Sequence, residues 1–195
     1  MKHQTIITID NERGLIMAKL QGKRIAMVVD NYAEEAELAD TMHNLQNEGA
    51  AVSLIATSHG MVQTMNHDVE MADKFSVDMT INDADFSQFD ALVLPGGAIN
   101  SDHLRTNIKV RDAITMFMKA GKPLAAICHA PWSLISAGVT KGRKVTSFET
   151  LQDDARNAGA IWVDQAVVVD GNLITSRKPD DIRAFSNAII DMLAA

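Results

Sequence analysis

One cysteine in this chain of 195 residues stands where chemistry is possible. Cys128 lies at the junction AAIC/HAPW, where a buried apolar run ends and a helix is expected to begin. A side chain at such a turn is lifted above a sheet, the geometry of a nucleophile elbow. The partial positive charge of a helix N-terminus there is expected to favour the thiolate. The plainer reading is an inert core cysteine. Glu34 and Glu37 are three residues apart and are expected to share a helix face, with Glu34 inside its apolar stripe and Glu37 at the edge. A carboxyl turned inward needs a partner or a raised pKa, and beside a thiol it can donate a hydrogen bond or move a proton. The alternative is a pair of acids decorating a helix N-terminus. Gly96-Gly97 offers backbone N–H groups suited to an oxyanion hole, or simply a tight turn.

The histidines narrow the mechanism. They are His3, His43, His59, His67, His103 and His129, and none follows His129. An α/β-hydrolase or a glutamine amidotransferase needs its histidine well downstream of the nucleophile, so both are excluded. His129 is adjacent to Cys128, but neighbours on a helix diverge by about 100°, so contact is not guaranteed. His67 and His103 can approach only through the fold. No His/Cys spacing fits a zinc site.

The elements that must position these groups follow from hydrophobic patterning. RIAMVVD (24–30), AVSLIAT (51–57), FDALVLPGG (89–97) and PLAAIC (123–128) read as buried parallel strands. Leu38, Met42 and Leu45 mark a helix between the first two, closed by Gly49. The stretch 59–89 is more polar and reads as irregular, with SVDMTI a possible edge strand. Val110, Ile114 and Phe117 mark a second helix, HAPWSLISAG a short third, and Pro179-Asp180-Asp181 opens the last, with Ile182, Phe185, Ile189 and Met192 facing the core. RKVTSF, AIWV, AVVVD and NLITS read as short strands, the last two joined by an Asp170-Gly171-Asn172 hairpin turn. Strands alternating with helices give a doubly wound α/β sandwich, whose ligands bind beyond the carboxyl ends of the strands. Glu34, Glu37, Gly96, Gly97 and Cys128 are all expected there. Residues 1–22 form an N-terminal extension and 23–195 a single domain.

Composition bounds the partners. Eighteen Lys and Arg against 25 Asp and Glu give a net charge of −7, which does not steer toward nucleic acid or anionic lipid. A lone cysteine forms no intrachain disulfide, no apolar stretch approaches a membrane span, and Asp10, Glu12 and Arg13 break any signal-peptide core. The expected location is the cytoplasm, with no nucleic acid or membrane partner.

The segments AICHAPWSLISAGVTKGRKVTS, DDARNAGAIWVD and VVVDGNLITSRKPDDI, with AEEAEL and FDALVLPGG upstream, resemble the PfpI-like group. This is the superfamily of the PfpI intracellular protease and Parkinson disease protein 7, with a fold like that of class I glutamine amidotransferases. The resemblance covers roughly residues 23 to 193 in motif order and spacing. It implies a flavodoxin-like three-layer sandwich with a central, mostly parallel sheet, a homodimer or higher oligomer, and no cofactor or metal. By this resemblance Cys128 is the nucleophile, Glu37 the carboxyl bonded to it, Glu34 a second acid and His129 the histidine of the protease-like branch. Asp102 is then the acid that a neighbouring subunit offers to that histidine. The N–H groups of Gly97 and His129 form an oxyanion hole, and Met65-Asn66-His67 is similar to the stress-protein branch. Three positions depart from the pattern: Ala130 for Gly, Ser101 for Pro, which is expected to loosen the loop carrying Asp102, and Phe148 where a polar side chain usually lines the substrate pocket.

Three functions are compatible with these implications. One is a stress-response enzyme acting on reactive carbonyls, methylglyoxal or glycated protein groups, of the glyoxalase III or deglycase type. The second is an intracellular cysteine peptidase using Asp102 from a neighbour. The third is a non-catalytic redox sensor or chaperone that responds to oxidation of Cys128.

Overall fold

The computed structural model describes residues 18–195. The part of the N-terminal extension up to residue 17 lies outside the described residues. Residues 18–22 form a turn whose Leu20 is fully buried in the core.

Seven strands make the central sheet. In chain order they are β1 (Arg24–Val29), β3 (Ala51–Ala56), β6 (Met79–Thr80), β7 (Ala91–Leu94), β8 (Leu124–Ile127), β11 (Val167–Asp170) and β12 (Leu173–Ser176). Their spatial order is β11-β12-β8-β7-β1-β3-β6, and every pairing is parallel except that of β11 with β12. The expected Asp170-Gly171-Asn172 turn makes that antiparallel hairpin, with Gly171 at φ +61°.

Both faces of the sheet are covered, which is why its strands read as continuous apolar runs. Along β1, Ile25, Met27 and Val29 face one core, shared with Leu38 and Leu45 of α1 (Glu35–Asn47) and Ile182, Phe185 and Ile189 of α6 (Ile182–Ala194). Ala26 and Val28 face the other, shared with Val110, Ile114 and Phe117 of α3 (Ile108–Ala120), Leu104 of α2 (Ala98–Thr106), Leu134 of α4 (Pro131–Ser136) and Ala155 of α5 (Gln152–Asn157). Each fully buried Val, Leu, Ile or Phe among them contributes about 2 kcal/mol of transfer free energy. This is the flavodoxin-like α/β sandwich expected. On α6 Ile190 and Leu193 join the core face, and Met192, half-buried, packs against it as expected. No helix of the described residues is long and apolar enough to cross a membrane.

The polar stretch after residue 59 departs from expectation. It forms a hairpin, β4 (Met61–Asn66) and β5 (Glu70–Ser76), which joins β2 (Ala33–Glu34) in a separate three-stranded sheet. Of the two hairpin strands only β4 buries side chains, Val62, Thr64 and Met65, so β5 carries no apolar alternation to mark it. The hairpin is fastened instead by polar bonds: Thr64 Oγ1 donates to the Asp73 carbonyl at 2.6 Å, and Glu35 Oε2 accepts from the Asp73 N–H at 2.7 Å. SVDMTI supplies only β6 at the sheet edge. RKVTSF and AIWV shrink to β9 (Lys144–Val145) and β10 (Ile161–Trp162), paired with each other. Two helices, α2 and α5, were not expected. Both are short and lack a repeating apolar stripe in sequence.

Candidate active site

The carboxyl ends of β7 and β8 meet at Cys128, which packs against the Gly96 turn after β7. Its backbone is fixed from both sides: the N–H donates to the Ser176 carbonyl of β12 at 3.1 Å, and the carbonyl accepts from the Phe148 N–H at 2.8 Å. It adopts φ +62°, a left-handed conformation that costs a non-glycine residue about 1 kcal/mol or more. That twist makes the elbow. It also brings the Cys128 sulfur within 3.2 Å of His129 Nδ1. The helical divergence expected of neighbours does not apply, because Cys128 is not helical and α4 begins only at Pro131. The backbone N–H groups of Gly97 and His129 lie near enough to the sulfur to favour its thiolate.

Glu37 closes the other side of the thiol. It is fully buried in the first turn of α1, and its Oε2 accepts the Gly96 N–H at 2.7 Å. Its Oε1 is buried without a hydrogen bond of good geometry, and the carboxyl lies close enough to the thiol for each to act on the other. Gly96 is required here: a Cβ at that position would stand 2.5 Å from Glu37 Oε2 and 2.6 Å from the Cys128 Cβ. Burial pushes the Glu37 pKa up to about 8, against the Gly96 hydrogen bond. Burial, and then the Glu37 charge, push the Cys128 thiol up as well, against the N–H groups of Gly97 and His129. The expected lowering by a helix N-terminus is therefore outweighed. Two buried acids in contact cannot both ionise cheaply, so the resting pair holds its protons at neutral pH.

His129 is positioned by aromatic packing. Its ring stacks on Phe148 at 4.7 Å and 26°, and meets Trp132 edge-on at 5.4 Å. Trp132 is pinned by a bond from its Nε1 to Asp154 Oδ2 at 2.8 Å and lies beneath the Arg105 guanidinium at 5.1 Å. Burial lowers the His129 pKa, and the charge of Asp68 opposes that, so the imidazole is neutral and able to take a proton.

Glu34 and Glu37 do not share a helix face. Glu34 is in β2, ahead of α1, and its Oε2 accepts the His67 N–H at the hairpin tip at 2.8 Å. Burial raises its pKa. The projection that put Glu34 in the stripe and Glu37 at its edge is thus corrected, because the helix starts one residue after Glu34 and its buried face runs through Glu37, Leu38, Thr41 and Leu45. Asp102 is exposed on α2 rather than in a loop, and Ser101 beside it is buried, so the missing proline does not loosen that segment. His103 lies 3.5 Å from Asp30. Sequence reasoning missed Asp68, whose Oδ1 accepts the Ala98 N–H at 2.8 Å. The run Asn66-His67-Asp68 was the available signal, since these residue types tolerate the left-handed turn that His67 and Asp68 adopt.

Residues 23–192 match the model of the DJ-1/PfpI family. The chain belongs to that family. It is 39% identical over 170 residues to the deglycase PfpI of Pyrococcus furiosus, covering 87% of this chain and 99% of that one. It is 35% identical over 171 residues to YraA of Bacillus subtilis, named provisionally as a cysteine protease, covering 88% of this chain and 98% of that one. Among solved structures it is similar to Drosophila melanogaster DJ-1beta, with a TM-score of 0.80 and 30% identity over 88% of this chain and 90% of that one. These DJ-1/PfpI relatives carry different activity names, so membership leaves the reaction open.

Proposed function

We propose that this DJ-1/PfpI protein is a cysteine-dependent enzyme that converts small reactive carbonyls to hydroxy acids. The observation that carries the reading is the placement of the Cys128 thiol between a neutral imidazole, with Nδ1 at 3.2 Å, and a buried carboxyl whose pKa is raised to about 8. With methylglyoxal, Sγ adds to the aldehyde carbon as His129 Nδ1 takes the thiol proton. The new oxyanion accepts hydrogen bonds from the N–H groups of Gly97 and His129 and is then protonated, giving a hemithioacetal. Glu37 or His129 moves the C1 proton to C2, which isomerises the adduct to a thioester. Water cleaves the thioester, releasing lactate and restoring the thiol. The sum is methylglyoxal plus water to lactate, with no external oxidant or cofactor.

Enclosure supports a small substrate. Cys128 is 6% exposed and His129 8%, which suits a three-carbon carbonyl better than an extended peptide. A glycated protein side chain would have to present its carbonyl at the end of a narrow stem. The peptidase reading also needs Asp102 from a neighbouring subunit and a polar group where Phe148 stands. The test is methylglyoxal turnover in deuterium oxide. Lactate labelled at C2, formed by the wild type and lost in Cys128→Ser, is expected. Turnover retained in full by Cys128→Ser would overturn the reading.

A further inference from the structure

The hairpin tip bears on the same site from a side the mechanism does not use. It is clamped there by two carboxylate–amide bonds, Glu34 Oε2 to the His67 N–H and Asp68 Oδ1 to the Ala98 N–H, both 2.8 Å. Ala98 follows Gly97 directly, so the second clamp holds the Asp68 carboxylate on the residue next to Gly97, whose N–H favours the thiolate. Asp68 is half-buried, unlike the fully buried Glu37. Its charge reaches Glu34, Glu37 and His129, and the other leading charges on the four site groups are those of Glu34, Glu35, Glu37 and His67. Among the described residues no lysine or arginine is one of these leading charges, the Arg105 guanidinium being held over Trp132. Among the described residues the charges acting on this side of the site are carboxylates, partly offset by His67, so an electrophile arriving at Cys128 meets a net negative field.

We propose that Asp68 is a specificity-determining residue that selects uncharged or cationic electrophiles at Cys128 and rejects anionic ones. The inference rests on the carbonyl reading only for the natural substrate: it predicts that methylglyoxal and amine-bearing carbonyl adducts are accepted and that carboxylate-bearing aldehydes such as glyoxylate are disfavoured. Asp68→Asn isolates the charge, because the amide oxygen can still accept from Ala98 N–H and keep the tip in place. Two charges separated by several ångströms near a protein surface change a rate by about three- to tenfold.

The experiment compares alkylation of Cys128 by iodoacetamide, which is neutral, and iodoacetate, which is anionic, at one pH and low ionic strength. The chain has one cysteine, so intact mass reads the site alone. The ratio of the two rates cancels the thiolate fraction, and the same ratio in the urea-unfolded chain gives the intrinsic preference. The folded wild type is expected to prefer iodoacetamide about three- to tenfold beyond that intrinsic ratio. Asp68→Asn is expected to lose most of the preference and Asp68→Glu to keep it. A purely structural role would shift both rates together and leave the ratio alone. An unmoved ratio in Asp68→Asn overturns the proposal. So does a folded wild type that shows only the intrinsic ratio, or that neither reagent labels. Selective labelling without methylglyoxal turnover would retain the charge filter and remove the carbonyl enzyme.

Discussion

The elbow wall and the hairpin wall of the Cys128 site differ in what holds them. The elbow is made of neighbours in sequence: β8, Cys128, His129 and α4 lie within residues 124–136, and Phe148 follows closely. Backbone bonds and ring stacking fix it, and its one carboxylate contact is that of Asp154 with Trp132 Nε1. The hairpin wall is made of distant residues, with Glu34 joined to His67 and Asp68 to Ala98. Carboxylates fix it, so protonation reaches it. Glu37 bridges the two, belonging to α1 but bonded to the Gly96 turn. The site thus pairs a rigid reacting side with a titratable covering side, and variants separate them.

The largest effect is expected from Gly96→Ala, which strikes the junction of the two walls. The added Cβ meets Glu37 Oε2 and Cys128 Cβ, and neither can move without disturbing the elbow. Loss of turnover and destabilisation by about 2–4 kcal/mol in urea titration are expected. Near-wild-type stability would mean that the junction has room for a methyl group.

Glu37→Gln comes next. The Glu37 pKa is about 8 in the folded chain against 4.5 unfolded, so the folded state binds the extra proton between those values. Its contribution is complete below pH 4.5 and is lost as pH rises through about 8. Wild-type stability should therefore fall across this window, by up to about 1.4 kcal/mol per pH unit, relative to Glu37→Gln. Parallel stability curves from pH 5 to 9 would contradict the buried-acid assignment.

How much of this was legible follows the same division. The parallel strands, the hairpin at Asp170-Gly171-Asn172 and the elbow at Cys128 were readable, because apolar runs and turn residues encode them locally. The contact of His129 with the thiol was not, because it depends on the left-handed Cys128 backbone. The β4–β5 hairpin and Asp68 were hidden because long-range polar bonds, rather than an apolar pattern, hold them. Glu37 was singled out from the sequence, but its complete burial follows from where α1 begins.

A smaller effect sharpens the hairpin side. Glu34→Gln keeps an acceptor for the His67 N–H but removes the charge, which weakens the bond by about 1 kcal/mol. Amide exchange at His67 should quicken about fivefold, with the Phe148 amide of the elbow unchanged. Equal acceleration at both would show that the two walls open together.

The most direct measurement is lactate released per chain from methylglyoxal, wild type beside Cys128→Ser. Many turnovers per wild-type chain and none from the variant are expected. A wild type that forms no lactate, yet gains a single oxygen-bearing adduct at Cys128 under mild peroxide, would contradict the carbonyl-enzyme reading and assign the cysteine to redox sensing.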